Sequence, residues 1–290
     1  MAIPILHFWR NYFEQPDEGL GSSYERVIIN QRLDAIRRHY GVKRLLESPS
    51  FGFTGLSGIN SMDMAVHGCD VTITDHDAER LELVRQVWRE TGLPLEAVLT
   101  PDYAALPFDD DSFDMSWNFS ALWFTQDLDA FLSELSRVTR RVIVLCVPNR
   151  SGLGYLGQKL QGRHDLRRLL REEHIKPRRF VPAMRRRDWR LLEWSYIDCP
   201  PWPDIGMHKE KLLRGLGLGF LVREPAEPRP PLTIMERYRG NDDGFPERML
   251  RYAWFERHAP RPAKHVWAHH RCYVFVREHD EKHRTRKETR

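Results

Sequence analysis

The stretch LLESPSFGFTGLSGINSMDMAVHGCDVTITD, residues 45–75, combines carboxylates and glycines in a pattern that suits a ligand site. Glu47 ends one short apolar segment that predicts a strand, and Asp75 ends a second. Gly52, Gly55 and Gly58 lie between them without the G-x-G-x-x-G spacing. Because parallel strands end at one edge of a sheet, both carboxylates are expected to face one crevice, where Asp75 could accept hydrogen bonds from ribose hydroxyls.

The charge of Glu47 limits which ligand could lie in this crevice. A carboxylate at the end of the first strand would repel a pyrophosphate, but it would attract a ligand that carries an ammonium and a sulfonium group. The glycines would then allow close approach of the backbone. Asp102, just past the third predicted strand, could accept a hydrogen bond from an adenine amino group. The pattern therefore predicts a positively charged, adenosine-bearing ligand.

The elements that must position these side chains alternate between strands and helices, which indicates a parallel α/β sheet covered on both faces. The helix SSYERVIINQRLDAIRRHYG is expected to begin at a cap, Ser22 or Ser23, and to end at Gly41. The predicted strands are VKRLLESP, CDVTITD, LEAVLT, the start of SFDMSWNFSALWF, RRVIVLCVPN, RLLEWSYID and HHRCYVFVRE.

The order of elements and motifs resembles that of class I S-adenosylmethionine-dependent methyltransferases. The resemblance rests on Glu47 with its glycine loop, on Asp75 in VTITD, and on the strings PDYAALPFDDDSFD and FLSELSRVTRRVIVLCVPN. It covers about residues 22–149 and the last strand near 269–277. It implies a Rossmann-like fold: a seven-stranded, mostly parallel sheet with helices on both faces and an antiparallel last strand.

The resemblance also implies S-adenosyl-L-methionine as the cofactor, and a set of residues that bind it. It assigns Glu47 to the cofactor's amino acid part, Asp75 to the ribose, and Asp102 and Tyr103 to the adenine. The loop departs from the family pattern acid-x-Gly-x-Gly-x-Gly, with Pro49 in place of a glycine. The expected cofactor residues are Glu47, Gly52, Thr54, Gly55, Asn60, Asp75, His76, Asp102, Tyr103 and Asn118.

The function expected from this resemblance is in-line methyl transfer to a small or medium-sized acceptor. The protein would mainly align the acceptor and exclude water, and a base is needed only if the acceptor carries a proton. Candidate bases are Tyr24, His208 and His269, and none is singled out. The expected acceptor residues are Tyr12, Tyr24, Trp123 and Trp202.

Several of these residues also have ordinary structural explanations. Glu47 could pair with a nearby Lys or Arg, and Asp102 could cap a turn. The glycines could serve only to permit turns in the loop, without contacting a ligand. Asn118 and Trp123 could be ordinary residues at a strand end. The N-terminal aromatic residues could form a lid or a satellite core, and Tyr24 could pack beneath its helix.

A basic belt runs through residues 163–190, although the formal net charge of the whole chain is only +4. It could face an anionic substrate or RNA, or it could be a solvated helix face with acidic partners. Few aromatic residues interleave with it, which argues against single-stranded nucleic acid. Its arginines are Arg163, Arg167, Arg168, Arg171, Arg178, Arg179, Arg185, Arg186, Arg187 and Arg190.

The predicted organisation is a lid segment (1–21), a cofactor-binding core (22–149), the rest of the sheet with a substrate-covering insertion (150–278), and a disordered charged tail (279–290). The four separated cysteines are expected to be reduced thiols. With no long apolar run and no signal-peptide pattern, a cytoplasmic protein is expected. No metal is expected, because His269 and His270 would point to opposite faces of a strand.

Two other classes of function remain open, beside the less favoured alternative of an RNA-directed methyltransferase that uses the basic belt 163–190. A non-catalytic binding protein with the same fold would explain the altered glycine loop. A nicotinamide-dependent oxidoreductase is disfavoured by the missing G-x-G-x-x-G motif. Binding of S-adenosylhomocysteine or of NAD(P) would distinguish the classes.

Overall fold

The computed structural model describes residues 6, 8–15, 17–52, 55–160, 169–202 and 231–277. The predictions made for Thr54, for His208 and for the tail 279–290 lie outside the described residues.

The described residues form a sheet of seven strands in the order β3-β2-β1-β4-β5-β7-β6. β7 pairs antiparallel with both β5 and β6, and the other pairs are parallel. This confirms the predicted Rossmann-like sheet with an antiparallel last strand. The strands are β1 (Arg44–Glu47), β2 (Asp70–Asp75), β3 (Glu96–Leu99), β4 (Phe113–Phe119), β5 (Thr139–Pro148), β6 (Trp189–Ile197) and β7 (His270–Arg277).

Helices occupy both faces of the sheet. Among the described residues, the first three helices along the chain are α1 (Trp9–Glu14), α2 (Gly19–Tyr40) and α3 (Met62–Val66). The last four are α8 (Met235–Tyr238), α9 (Phe245–Leu250), α10 (Trp254–His258) and α11 (Arg261–Trp267). Between them lie α4 (Ala78–Thr91), α5 (Leu128–Val138), α6 (Leu153–Leu160) and α7 (Pro177–Arg185).

The core consists of two apolar clusters, one on each face of the sheet. Helices α2, α3, α4, α8 and α9 contribute to the first cluster, and α5 and α7 contribute to the second. Consecutive residues of a strand point to opposite faces, so Leu45 packs into the first cluster and Leu46 into the second. Both residues are fully buried, which explains why β1 has no polar face.

The start of α2 differs from the prediction. The helix begins at Gly19 after Glu18, and Ser23 is buried inside it, so neither Ser22 nor Ser23 is its cap. Glu18 does not cap the helix either, because its carboxylate instead pairs with Arg26 and accepts a hydrogen bond from the Leu56 backbone N–H at 2.9 Å. The predicted end is confirmed, since Gly41 has the left-handed φ of 60° that closes many helices.

The two helices α4 and α5 begin with side-chain caps. Asp77 accepts a hydrogen bond from the Arg80 N–H at 3.0 Å, and Asp127 accepts one from the Ala130 N–H at 3.0 Å. Asp77 follows the last residue of β2 by two positions. The cap therefore brings the first turn of α4 close to the carboxyl end of β2.

The loop after β1 is bound closely to the carboxyl edge of the sheet. The Ser48 N–H donates to the Trp117 carbonyl at 3.0 Å, and the Ser50 N–H donates to the Thr74 carbonyl at 2.9 Å. A Cβ atom at Gly52 would lie 1.9 Å from the Phe119 carbonyl oxygen. Gly52 is therefore required for close approach of this loop to β4.

We predict that Gly52→Ala lowers the free energy of unfolding by about 1–3 kcal/mol, because the added methyl group meets backbone that has no rotamer to change. Urea unfolding of purified protein measures this difference. The matched control is Gly21→Ala in α2, where no atom lies within 4 Å of the new Cβ. The control should be neutral or slightly stabilising. Equal unfolding midpoints for wild type and Gly52→Ala would contradict the close approach.

Candidate functional site

Glu47 is buried at the tip of β1, with 1% of the residue exposed. Its two oxygens accept hydrogen bonds from Asn60 Nδ2 at 2.9 Å and from Ser61 Oγ at 2.6 Å. The Trp117 indole N–H donates to the same Ser61 hydroxyl at 2.8 Å, which leaves the hydroxyl proton for Glu47. Burial nevertheless outweighs these hydrogen bonds and raises the pKa of Glu47 to about 7.

Arg26 lies close to Glu47 without pairing with it directly. Its guanidinium is buried, pairs with Glu18, and donates to the side-chain oxygen of Asn60 and to the Leu56 carbonyl. Asn60 therefore lies between Arg26 and Glu47. Its side-chain N–H donates to the Glu47 carboxylate, and its side-chain oxygen accepts from the Arg26 guanidinium. The alternative of a simple Glu47–Arg pair does not describe this arrangement.

Asp75 is fully buried at the tip of β2 and is bound by Arg80. Arg80 Nε donates to one carboxylate oxygen at 2.7 Å, and its terminal nitrogen donates to the other at 2.5 Å. The Asp77 N–H also donates to Asp75, at 2.9 Å. Both oxygens therefore have partners inside the protein, and no part of the carboxylate is exposed.

Aromatic rings cover the Asp75–Arg80 pair. The Arg80 guanidinium lies 4.1 Å from the ring centroid of Phe51 and 5.1 Å from that of Trp9. The Phe51 ring is buried, with its centroid 5.5 Å from that of His76 and 4.9 Å from that of Phe124. Because His76 follows β2 and Phe124 follows β4, the Phe51 ring spans the crevice between the ends of these strands.

The residues expected to contact adenine lie beside this cover. The side-chain oxygen of Tyr103 is 3.1 Å from His76 Nδ1, and burial raises the Tyr103 pKa well above its ordinary value. Asp102 is exposed and accepts a hydrogen bond from the Ala104 N–H at 2.8 Å, as a turn-capping acid does. The structure thus brings Tyr103 and His76 together and leaves Asp102 at the surface.

Four buried polar side chains near the tips of β1 and β4 have atoms without a hydrogen-bond partner in the described part of the chain. They are the Ser50 hydroxyl, both amide atoms of Asn118, the Ser120 hydroxyl and the Trp123 indole N–H. Buried polar atoms without partners are costly, so such a group points to a polar ligand or to water at this place. They are the strongest sign of a binding site at this edge.

The loop glycines mainly serve packing. Beside Gly52, which approaches β4, Gly58 has a φ of 74° and lies against Val84 of α4, where a Cβ atom would be 2.6 Å from the valine methyl groups. Gly55 has a φ of 147°. Two of the three glycines are therefore needed for the loop's own conformation, whether or not a ligand binds.

The residues expected to contact the acceptor separate into two groups. Tyr24 is fully buried, donates a hydrogen bond to Glu256 at 2.8 Å, and has its ring centroid 5.6 Å from that of Trp202. Tyr12 packs against the same apolar cluster. Trp123 belongs to the cluster on the opposite face of the sheet, so it does not share a wall with Tyr24 and Trp202.

His269 belongs to a network of acids at the start of β7. Its Nδ1 lies 2.5 Å from an Asp198 carboxylate oxygen, and its backbone N–H donates to the Asp198 carbonyl. Glu256 accepts hydrogen bonds from the backbone N–H groups of Asp198 and Cys199 as well as from Tyr24. Burial raises the pKa values of Asp198, Glu256 and Tyr24. Two of the three candidate bases therefore meet in one network.

The described part of the basic belt is paired largely with nearby polar groups. Arg187 donates to Asp129 at 3.2 Å, and Arg171 donates to Gln126 at 2.9 Å. Arg178, Arg179 and Arg186 line a cavity of about 340 Å³ whose wall also contains Asp127 and Asp129. Mixed charges of this kind favour the solvated face over a nucleic-acid surface. Arg163, Arg167 and Arg168 are outside the described residues.

Comparison with known proteins identifies the central part of this fold. Residues 53–145 match the family model of a methyltransferase domain. These residues, about a third of the chain, are similar to a methyltransferase domain. The resemblance to class I S-adenosylmethionine-dependent methyltransferases is thereby confirmed at the level of the domain and its fold. No curated protein matches the chain in sequence.

Several solved structures are similar to this chain at low sequence identity. The MccD protein is 11% identical to this chain, and the aligned residues cover 86% of this chain and 96% of the MccD chain, with a TM-score of 0.50. Geranyl diphosphate methyltransferase in complex with SAM is 16% identical, and the aligned residues cover 86% of this chain and 85% of that enzyme's chain, with a TM-score of 0.47. The [4+2]-cyclase SpnF is 13% identical, with 86% and 80% covered and a TM-score of 0.46.

S-adenosylmethionine fits the residue types at this edge of the sheet but not their present arrangement. Glu47 and the unpaired atoms of Ser50 and Asn118 lie where a charged, polar ligand is expected. The Asp75 carboxylate, however, is engaged by Arg80, and the Phe51 ring lies across the crevice. A ribose could reach Asp75 only after these two side chains move.

Sequence reasoning missed several residues of this edge. Arg80 and Phe51 are absent from the residues predicted for this site, although an arginine in the first turn of the helix after a strand-end acid can pair with that acid. Asp198 ends RLLEWSYID in the same way that Asp75 ends VTITD, which was a usable signal. Glu25 and Glu256 carry no local signal, because only the fold brings them to β6 and β7.

A search of the described helices finds none with both the length and the apolar run needed to cross a bilayer.

We predict a pH dependence of stability that is specific to Glu47. Its pKa is about 7 in the folded protein and 4.5 in its ordinary state, so the folded state is destabilised as the pH rises from about 4.5 to 7 and unchanged beyond. Glu47→Gln removes this titration. The variant should therefore gain stability over wild type across that range, by up to about 3 kcal/mol.

The measurement is urea unfolding of both proteins at intervals between pH 4 and pH 8. Glu247→Gln, an exposed acid on α9, is the control and should show no such change with pH. A constant difference between Glu47→Gln and wild type over the whole range would refute the raised pKa.

Proposed function

We propose that the chain is an S-adenosylmethionine-dependent methyltransferase that acts on a small or medium-sized acceptor. The observation that carries the proposal is the group of unpartnered buried polar atoms on Ser50, Asn118, Ser120 and Trp123, three of which lie within the residues 53–145 that match a methyltransferase domain. They lie in the loop after β1, at the end of β4 and in the residues that follow β4. A polar ligand at this place would satisfy atoms that the described residues leave without hydrogen bonds.

We assign the parts of the cofactor to residues at the tips of the strands. Glu47 would face the ammonium group, and a nearby cation would favour its charged form over the protonated one. Asn118 would bind near the methionine part, and Asp75 would accept from the ribose hydroxyls. His76 and Tyr103 would border the adenine, with Asp102 at its outer edge. Gly52, Thr54, Gly55 and Asn60 would complete the loop around the ligand.

The proposal requires that the crevice open. Arg80 must leave Asp75, and the Phe51 ring must leave its place between His76 and Phe124. Separating a buried, bidentate ion pair is costly unless new partners replace the lost ones. Ribose hydroxyls would supply donors for Asp75, while water or another acid would receive Arg80.

We place the acceptor on the Tyr24–Trp202 side, where Tyr12 and the network around Glu256 also lie. Tyr24 is a poor base at neutral pH, because burial and Glu256 raise its pKa. His269 is better suited, since Asp198 binds Nδ1 and leaves Nε2 as the basic nitrogen. We therefore assign His269 the role of base for acceptors that carry a proton. Trp123 would border the cofactor rather than the acceptor.

The direct test is calorimetric titration of the full chain with S-adenosylmethionine and with S-adenosylhomocysteine. We predict one site with a micromolar dissociation constant for both ligands, and no binding of NAD(P). Glu47→Ala should weaken the binding of S-adenosylmethionine at least about tenfold, because it removes a charge-assisted hydrogen bond. Absence of binding at millimolar ligand would refute the proposal.

A specific observation favours a second candidate, a non-catalytic member of the fold. The Asp75–Arg80 pair beneath Phe51 and Trp9 fills the place of a ribose with the protein's own side chains. In that case the Asp75–Arg80 ion pair does not open, and the protein has a role other than methyl transfer. The two candidates differ in what happens when the Phe51 ring is removed.

We predict that Phe51→Ala strengthens binding of S-adenosylhomocysteine by about tenfold, because the crevice of the variant can open without first displacing a packed ring. Phe113→Ala, at the opposite end of β4, is the control for the loss of a buried ring and should leave the affinity unchanged. Weaker binding by Phe51→Ala would show that the ring contacts the ligand instead of excluding it. No binding by either variant or by wild type would favour the non-catalytic candidate.

A further inference from the structure

A second group of buried polar side chains lies where β6 ends and β7 begins. Glu25 from α2, Asp198 after β6 and His270 at the start of β7 each offer one ligand atom, and these atoms lie within 4.8 Å of one another. The exposed fractions of the three residues are 7%, 3% and 5%. Three distant parts of the chain thus bring two carboxylates and an imidazole into one buried place.

The atoms that face each other make no hydrogen bond of normal geometry among the described residues, although Glu25 and His270 form an ion pair when the imidazole is protonated. These atoms are Glu25 Oε1, Asp198 Oδ1 and His270 Nδ1, and the first and third are only 2.6 Å apart. Ionised carboxylate oxygens only accept hydrogen bonds, so two of them converging in a buried place need a donor or a cation between them. A metal ion among these three residues would replace the proton that the Glu25–His270 ion pair requires.

The surrounding residues hold this arrangement in place. His269 Nδ1 lies 2.5 Å from Asp198 Oδ2, which fixes one oxygen of the carboxylate and leaves Oδ1 directed at the cluster. The Asp198 N–H donates to Glu256 at 3.0 Å. The Phe119 ring lies against His270, with the two centroids 4.4 Å apart. Outer groups that orient ligands in this way are characteristic of metal sites.

We propose that Glu25, Asp198 and His270 bind a divalent first-row transition metal cation. One imidazole nitrogen and two carboxylate oxygens suit Zn²⁺, Mn²⁺, Fe²⁺ or Co²⁺, whereas Mg²⁺ and Ca²⁺ prefer oxygen ligands alone. Three protein ligands leave a coordination position for water or for a bound molecule. The proposal is independent of the proposed function, although the site lies at the same edge of the sheet.

This site departs from the expectation of no metal, and the reason is geometric. His269 and His270 do point in different directions, as expected for neighbours at a strand end, and only His270 is a ligand. The partners that complete the site come from α2 and from the end of β6. A sequence pattern does not show this, because the three ligands are far apart along the chain.

The test uses the full chain, stripped with a chelator and titrated with Zn²⁺, Mn²⁺ or Co²⁺, with Mg²⁺ as the comparison ion. We predict one equivalent of transition metal per chain, a rise in melting temperature, and visible Co²⁺ absorption bands that indicate bound imidazole and carboxylate. Mg²⁺ should give none of these changes. Elemental analysis of the dialysed protein measures the stoichiometry.

Variants locate the binding. Asp198→Asn and His270→Gln, which nearly preserve side-chain shape, should each weaken Co²⁺ binding more than about tenfold and change the absorption bands. His258→Ala removes an exposed histidine and is the matched control, with unchanged affinity. Wild-type protein that binds no transition metal would overturn the proposal and indicate a proton shared by the two acids. Unchanged Co²⁺ bands in folded Asp198→Asn and His270→Gln would also overturn it.

Discussion

Buried carboxylates are the constraint on which the carboxyl edge of this sheet depends. Glu47 and Asp75 end neighbouring strands with almost no exposed surface, and a buried acid must find donors inside the protein. Glu47 finds them in Asn60 and Ser61 at the start of α3, and Asp75 finds them in Arg80 on α4. These contacts attach the first turns of two helices to the tips of the strands. The same requirement applies to Asp198, which is held by His269.

The two strand-end acids are satisfied in different ways, and this difference matters for function. Glu47 is bound only by neutral donors and has a pKa near 7, so a cationic ligand would find it without having to displace another cation. Asp75 is already bound by the positive charge of Arg80. Ligand binding at Asp75 is therefore an exchange of partners, and its free energy includes the cost of separating Arg80 from the acid.

Much of the fold could be predicted from the sequence. The alternation of apolar strands and amphipathic helices indicated the parallel sheet, and Gly41 was correctly predicted to end α2. The start of α2 was wrong, because Glu18 and Ser23 are used in long-range contacts that local capping rules do not include. Strand-end acids such as Glu47 and Asp75 were located correctly at their strand tips, since a strand's end is a local property.

The partners of those acids could not be predicted in the same way. Arg80 could reach Asp75 or solvent, and only packing against Phe51 and Trp9 decides between them. Gly52 and Gly55 were predicted to contact the ligand, and the structure adds that Gly52 is needed for the close approach of the loop to β4. The cluster of Glu25, Asp198 and His270 exists only after the sheet has formed. Side-chain partners from distant elements depend on tertiary geometry, which periodicity and spacing do not contain.

The central claim is that the edge formed by β1, β2 and β4 binds an adenosine-bearing ligand when Arg80 and Phe51 move aside. A crystal structure of the chain grown with S-adenosylhomocysteine tests it most directly. The account predicts density for the ligand with its ribose at Asp75, Arg80 turned away from that carboxylate, and the Phe51 ring displaced from Phe124. An intact Asp75–Arg80 pair beneath Phe51, with no ligand at this edge, would contradict it.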